Sequence, residues 1–145
     1  MTASTGKAAC NLIDSGVSGA MTVHQFACLK DNRYHKGEIV QRMENPEDFG
    51  LNSEVERIKK TEVMVLDEIS MISKDVFEKI DVACRCAKGN KDYPFGGMQI
   101  ILTGDFRQLP PVPNINYGDS GDYAFASQVF KEAVTHQVIL SEIHR

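Results

Sequence analysis

The sequence predicts an α/β domain built on a mainly parallel sheet flanked by helices. Val63-Met64-Val65-Leu66 and Met98-Gln99-Ile100-Ile101-Leu102-Thr103 are short apolar runs with the make-up of buried parallel strands. Between them, Val76, Phe77, Ile80, Ala83, Cys84 and Ala87 recur at helical spacing. Strands that alternate with amphipathic helices build parallel sheets, because each crossover lays a helix over one face.

The elements are taken in chain order. Lys7-Ala8-Ala9-Cys10-Asn11-Leu12-Ile13 suits a helix, and Gly16 and Gly19 are placed to end it. Thr22 can cap a short second helix carrying Val23, Phe26 and Leu29. Residues 30–52 are polar (Lys30, Arg33, Lys36, Glu44, Pro46, Gly50) and read as a loop. That length suggests a variable surface insertion, with a connecting helix completing residues 30–60. The run from Val63 to Leu66 then forms a strand buried on both faces and ending in acids. Ser73 caps the central amphipathic helix, and Gly89-Asn90 stops it. Tyr93-Pro94-Phe95-Gly96-Gly97 is a turn into the second strand, which Gly104 closes. A last helix over 126–134 leads into a strand at Gln137-Val138-Ile139-Leu140.

The 145 residues suit one domain, and 42% apolar with 25% charged residues is the balance of a soluble, core-forming chain. The net charge of −4 gives no global sign of nucleic-acid binding, although a local basic groove is compatible with it. No apolar run nears the ~20 residues that span a bilayer. Met1-Thr2-Ala3-Ser4 lacks the layout of a secretory signal. Cys10, Cys28, Cys84 and Cys86 form no C-x-x-C pair, and Cys84-Arg85-Cys86 is too tight for a usual zinc knuckle. Reduced thiols of an intracellular protein are the expectation.

The polar residues that suggest chemistry stand where these two apolar strands end, and open parallel sheets bind ligands beyond the carboxyl ends of their strands. Asp67 there can hold a magnesium ion, directly or through water, and Glu68 can polarise an attacking water. Neighbours on an extended chain point in different directions, so two roles suit two adjacent acids. Alone, the pair equally suits a solvated strand end. The second strand exits into Gly104-Asp105-Phe106-Arg107-Gln108-Leu109-Pro110-Pro111-Val112. Gly104 allows a tight exit, and the paired prolines stiffen the chain beyond Gln108. An amide held on such a segment can report a γ-phosphate.

These residues resemble a known family. Val65-Leu66-Asp67-Glu68-Ile69-Ser70-Met71 resembles helicase motif II, and Leu102-Thr103-Gly104-Asp105-Phe106-Arg107-Gln108-Leu109-Pro110-Pro111-Val112 resembles motif III, of the Pif-type (petite integration frequency) DNA helicases of superfamily one. Thr2-Ala3-Ser4-Thr5-Gly6-Lys7-Ala8-Ala9 is similar to motif Ia, and Leu140-Ser141-Glu142-Ile143-His144-Arg145 to the opening of motif IV. Thr22-Val23-His24-Gln25-Phe26 and Pro94-Phe95-Gly96-Gly97-Met98-Gln99 add to the likeness.

The resemblance implies part of a RecA-like P-loop NTPase domain and 5'-to-3' unwinding of DNA driven by ATP. It implies that Asp67 coordinates Mg2+, Glu68 activates the hydrolytic water, and Gln108 touches the γ-phosphate with Asp105 in support. It gives Arg145 a charge-neutralising role on the transferred phosphoryl group; a solvated terminal charge is the plainer account of that residue. Ser4, Thr5, Lys7 and His24 would line the path of single-stranded DNA, gripping phosphates without reading sequence. His24 equally suits a packed histidine, and Phe26 reads as core rather than a stacking platform. DNA junctions as partners, and nuclear or mitochondrial work in DNA repair, recombination and telomere maintenance, are further implications.

Thr5-Gly6-Lys7 is not a P-loop. Its first glycine position holds Met1, and Ala8 stands where Ser or Thr would ligate magnesium. The expectation is a chain that begins after the Walker A strand and loop and ends before a second RecA-like domain. Without that strand, sheet edges are left unpaired, so a chain of low stability and no ATPase activity of its own is expected. A non-catalytic nucleic-acid-binding remnant of a helicase gene, a related relaxase-type helicase and a chaperone-like ATPase are the alternatives. Gln108-Leu109-Pro110-Pro111 speaks most strongly against the last.

Overall fold

The computed structural model describes residues 1–141. Four parallel strands, β1 (Thr2–Ala3), β2 (Met21–Thr22), β3 (Val63–Asp67) and β4 (Gln99–Leu102), lie in the order β2-β1-β3-β4. Ala3 pairs with both Thr22 and Asp67, and Leu66 pairs with Leu102. This register sets the carboxyl ends of all four strands along one rim.

Local chemistry explains the helix starts. Thr5 Oγ1 accepts from Ala8 N at 3.2 Å and opens α1 (Gly6–Asp14). Thr22 and Gln25 cap each other reciprocally at α2 (Val23–Phe26), which removes two unpaired N–H groups. Ser73 opens α6 (Lys74–Lys88), and Gly89 closes it in the left-handed conformation. The six apolar residues expected on the inner face of α6 are all buried.

From Lys36 onward the expected loop over 30–52 is instead largely helical. It holds α3 (Lys36–Glu44) and α4 (Pro46–Phe49), and α5 (Asn52–Lys60) comes next. Ile39 and Met43 on α3, and Val55 and Ile58 on α5, sit in the core, and both helices pack on α6. Each helix is thus fixed by a two-residue apolar contact within a polar background, so burial outweighs composition.

Strand β3 departs from the expectation of burial on two faces, and β4 shares its one-sided packing. Met64 and Leu66 on β3 are buried, and Ile100 and Leu102 on β4 pack against the same core. On the opposite face Val63 and Ile101 are exposed. The core therefore covers one side of β3 and β4, and β4 is an edge strand. The expected strand at 137–140 does not form: Val138, Ile139 and Leu140 are almost fully exposed and carry no ladder. Strand propensity needs a paired neighbour to become a strand. The last helix, α7 (Gln128–Ala133), is shorter than expected, because a separate turn at Ala124–Ala126 precedes its Ser127 cap. No described helix is long and apolar enough to cross a membrane.

Two polar groups lock the periphery to α6. Asp81 accepts from Phe95 N at 2.6 Å and fixes the turn before β4, where a side chain at Gly96 would come within 2.9 Å of the Cys84 carbonyl. Two residues earlier on α6, Lys79 is buried. Its Nζ bonds Asp75 at 2.8 Å, Asn32 Oδ1 at 3.0 Å and the Asn32 carbonyl at 3.1 Å. Ser73 Oγ donates to Asp119, and Lys74 N donates to the Asp122 carbonyl at 2.7 Å. The chain after the second motif is thereby docked on the start of α6.

Candidate active site

Strand β3 delivers Asp67 and Glu68 to the rim. Asp67 Oδ1 accepts from Thr103 Oγ1 and from Glu68 N at 3.0 Å. Its second carboxylate oxygen has no hydrogen bond among the described residues. Glu68 adopts a left-handed backbone, φ 57° and ψ 47°, which turns the chain sharply into the single turn Ile69–Met71. Among the described residues its carboxylate has no hydrogen-bond or ion-pair partner. One acid is held in place and the other is free to meet a ligand.

The end of β4 is stitched to this turn. Thr103 N donates to the Leu66 carbonyl and Ile69 N to the Thr103 carbonyl, both at 3.0 Å. Gly104, at φ 153°, lies so close to Ile69 that a Cβ would stand 3.0 Å from its nitrogen, so a glycine is required there. Asp105 then accepts from Arg107 N at 2.9 Å and Arg107 Nε at 3.2 Å. These bonds, that to the backbone first, hold its carboxyl below the usual aspartate range. Gln108 N donates to the Asp105 carbonyl at 2.9 Å, and the Gln108 side chain is exposed at the rim.

A cavity of about 190 Å³ opens between α1 and these turns, and Thr5, Lys7, Glu68, Ser70 and Gln108 are among the residues that line it. Residues from three separate segments of the sequence therefore share one space. Asp67 and Asp105 flank it without forming its wall. Ser4 is buried, with its N–H on the Asp67 carbonyl at 3.2 Å, so it fastens β1 to β3. Thr5 spends its hydroxyl on the α1 cap. His24 stands after β2 along the same rim but lies outside this cavity. Burial lowers its pKa from 6.5, against a smaller opposing effect of Asp31, so the ring is neutral at pH 7. Arg145 lies outside the described residues.

Thr103 and Ser70 contribute to the site although the sequence suggests no role for either, and both lie within the two motifs. Only their place beside the acids, not their residue type, could have marked them. Among the described residues no three His, Cys, Asp or Glu side chains converge as a metal cage. Asp67 offers one hard oxygen donor, which suits a magnesium ion that takes its remaining ligands from phosphates and water.

The family model for PIF1-like helicases matches residues 1–135. The chain is 34% identical over its whole length to the ATP-dependent DNA helicase PIF1 of Emericella nidulans, covering 18% of that protein. It is 32% identical over 99% of its length to the human ATP-dependent DNA helicase PIF1, covering 20% of it. It thus spans less than a quarter of these relatives. The crystal structure of Pif1 helicase from Candida albicans superposes with a TM-score of 0.79 at 31% identity, covering 99% of this chain and 29% of that one. A Bacteroides Pif1 helicase in complex with ADP-AlF3 and single-stranded DNA superposes with a TM-score of 0.64 at 28% identity, covering 91% and 29%.

Proposed function

Since the chain belongs to the PIF1-like helicase family, we propose that it supplies the hydrolysis and γ-phosphate-sensing elements, and part of the DNA path, of an ATP-dependent 5'-to-3' DNA helicase. The observation that carries this reading is the cavity in which Lys7 and Thr5 of α1 meet Glu68 and Gln108. Motor action requires that the DNA grip and the hydrolytic groups communicate, and a shared cavity gives them a common wall. The relatives named as ATP-dependent DNA helicases, and the neighbour holding ADP-AlF3 with single-stranded DNA, support the substrates assigned here.

In this reading Asp67 would hold Mg2+, which would supply charge neutralisation to the nucleotide phosphates. Glu68 accepts a proton from the attacking water, its carboxylate left free by the fold for that purpose. Gln108 meets the γ-phosphate, Asp105 steadies the turn that presents it, and Arg145 adds positive charge. Lys7 gives a cation to the DNA backbone beside the N–H groups at the start of α1, and His24 offers a neutral ring. Single-stranded DNA and DNA junctions are the partners, and nucleus or mitochondrion the compartments. Thr5-Gly6-Lys7 starts a helix rather than cradling phosphates.

The test is ATP hydrolysis and unwinding of a 5'-tailed fork by the complete protein. Glu68→Gln is expected to lower the hydrolysis rate at least ~100-fold with binding of single-stranded DNA retained. Hydrolysis by that variant at the parental rate would overturn the assignment. A parent protein that binds DNA without hydrolysing ATP would favour the non-catalytic remnant.

A further inference from the structure

Ser70 lies two residues beyond Glu68, in the turn Ile69–Met71, and is fully buried. Among the described residues its hydroxyl has no hydrogen-bond partner. A buried unpaired hydroxyl weakens a fold, and native proteins retain one where water or a ligand completes it. Ser70 also lines the cavity shared by Lys7, Asn11, Glu68 and Gln108. Its frame is rigid, because Ile69 N, Met71 N and Ile72 N are bonded to the carbonyls of Thr103, Glu68 and Ile69. The cavity, at about 190 Å³, is roomy for a water, which occupies about 30 Å³ of liquid volume.

We propose that Ser70 is a positioning residue for the hydrolytic reaction, an inference that rests on the functional reading above. Its hydroxyl donates to a water in this cavity, and that water links the α1 start to Glu68 and Gln108. DNA phosphate held at Lys7 and the first turn of α1 sets one end of the link. The carboxylate of Glu68 accepts at the other. No bond is made or broken at Ser70; it acts by setting where Glu68 and Gln108 point when DNA is present.

The experiment compares the complete protein with its Ser70→Ala and Ser70→Cys variants. Alanine removes a hydroxyl that bonds to no protein group, so Tm is expected to hold. The ratio of kcat with saturating single-stranded DNA to kcat without it is expected to fall about five-fold, the worth of one hydrogen bond. KM for ATP should stay at the parental value. Cysteine, a weak donor, should recover part of the ratio. A Tm lower by several degrees in the alanine variant would assign the hydroxyl to the fold, and an unchanged stimulation ratio would leave it without a role; either result overturns the proposal. A parent protein that hydrolyses ATP equally with and without DNA would instead bring down the functional reading, and this inference with it.

Discussion

Thr103 Oγ1 donates a hydrogen bond to Asp67 Oδ1, joining the ends of two adjacent parallel strands at the acid assigned to magnesium. A partner of this kind orients the ligating carboxylate, and its loss typically costs 10–100-fold in metal affinity. Thr103→Val keeps the shape and removes the donor. Binding of Mn2+ to the nucleotide-loaded complete protein, read by electron paramagnetic resonance, is expected to weaken about ten-fold in the valine variant and recover in Thr103→Ser. Parental Mn2+ affinity in Thr103→Val would detach Asp67 from the metal.

Glu68 carries a conformational cost for which the fold shows no return. A left-handed backbone costs an L-residue about 1–2 kcal/mol, and its carboxylate has no partner among the described residues. Glu68→Gly relieves that strain, while glycine's larger unfolded freedom takes part of the gain back. Urea denaturation is expected to show stability unchanged or raised by up to about 1 kcal/mol, with hydrolysis abolished. A marked loss of stability would mean that the side chain serves the fold.

Lys7 and His24 should differ in their response to salt. Each phosphate neutralised on single-stranded DNA contributes about 0.7 to the slope of log affinity against log salt concentration. Lys7→Ala in the complete protein should lower that slope by about this amount. His24→Gln should leave it unchanged, because burial keeps the ring neutral at pH 7. An equal change of slope in both variants would contradict this division.

The same histidine gives a pH dependence with a definite sign. Burial lowers its folded pKa below 6.5, so the unfolded chain binds the proton more readily. Stability must therefore fall as pH drops from 6.5 through the lowered folded value. Subtracting the curve of His24→Gln from that of the parent isolates this contribution. A difference curve that rises toward acid would show a charged, paired ring instead.

The Lys79 ammonium depends on Asp75. Removing the carboxylate by Asp75→Ala leaves a buried charge with only the two oxygens of Asn32. The expected loss is about 3 kcal/mol, the low end for buried pairs, since Asp75 itself is 26% exposed. Chemical denaturation measures it, and a loss below about 1 kcal/mol, the range of exposed pairs, would mean that water reaches the ammonium.

What could be read from the sequence was what neighbouring residues decide among themselves. Thr22 and Ser73 each announce a helix start through a bond three residues away, and α6 shows its apolar face in its own spacing. By contrast, α3 and α5 each spend two buried apolar residues on a distant helix, too few to stand out from their charges. Val138 to Leu140 failed for the opposite reason, being apolar without a ladder to join. At the site, Asp67, Glu68 and Gln108 could be placed because strand ends are legible. The left-handed turn at Glu68 and the Thr103 bond could not, because both arise from the register of β3 against β4. The burial of Lys79 could not be read either, since Asn32, which bonds it, lies 47 residues earlier in the chain.

The segment that carries Gln108 is fastened at both ends to one short piece of chain. Gly104 is seated against Ile69, and Asp119 and Asp122 are bonded to Ser73 and Lys74. Residues 104–122 and residues 69–74 thus form a closed ring, with Ser70 on it and Glu68 just before it. A ring has no loose end through which strain can drain. In the roles proposed above, a displacement of Gln108 by an arriving phosphate would be felt at the turn that carries Glu68, and the reverse would hold when Glu68 moves. The residues proposed for nucleotide sensing and for water activation thus sit on one closed part of the chain.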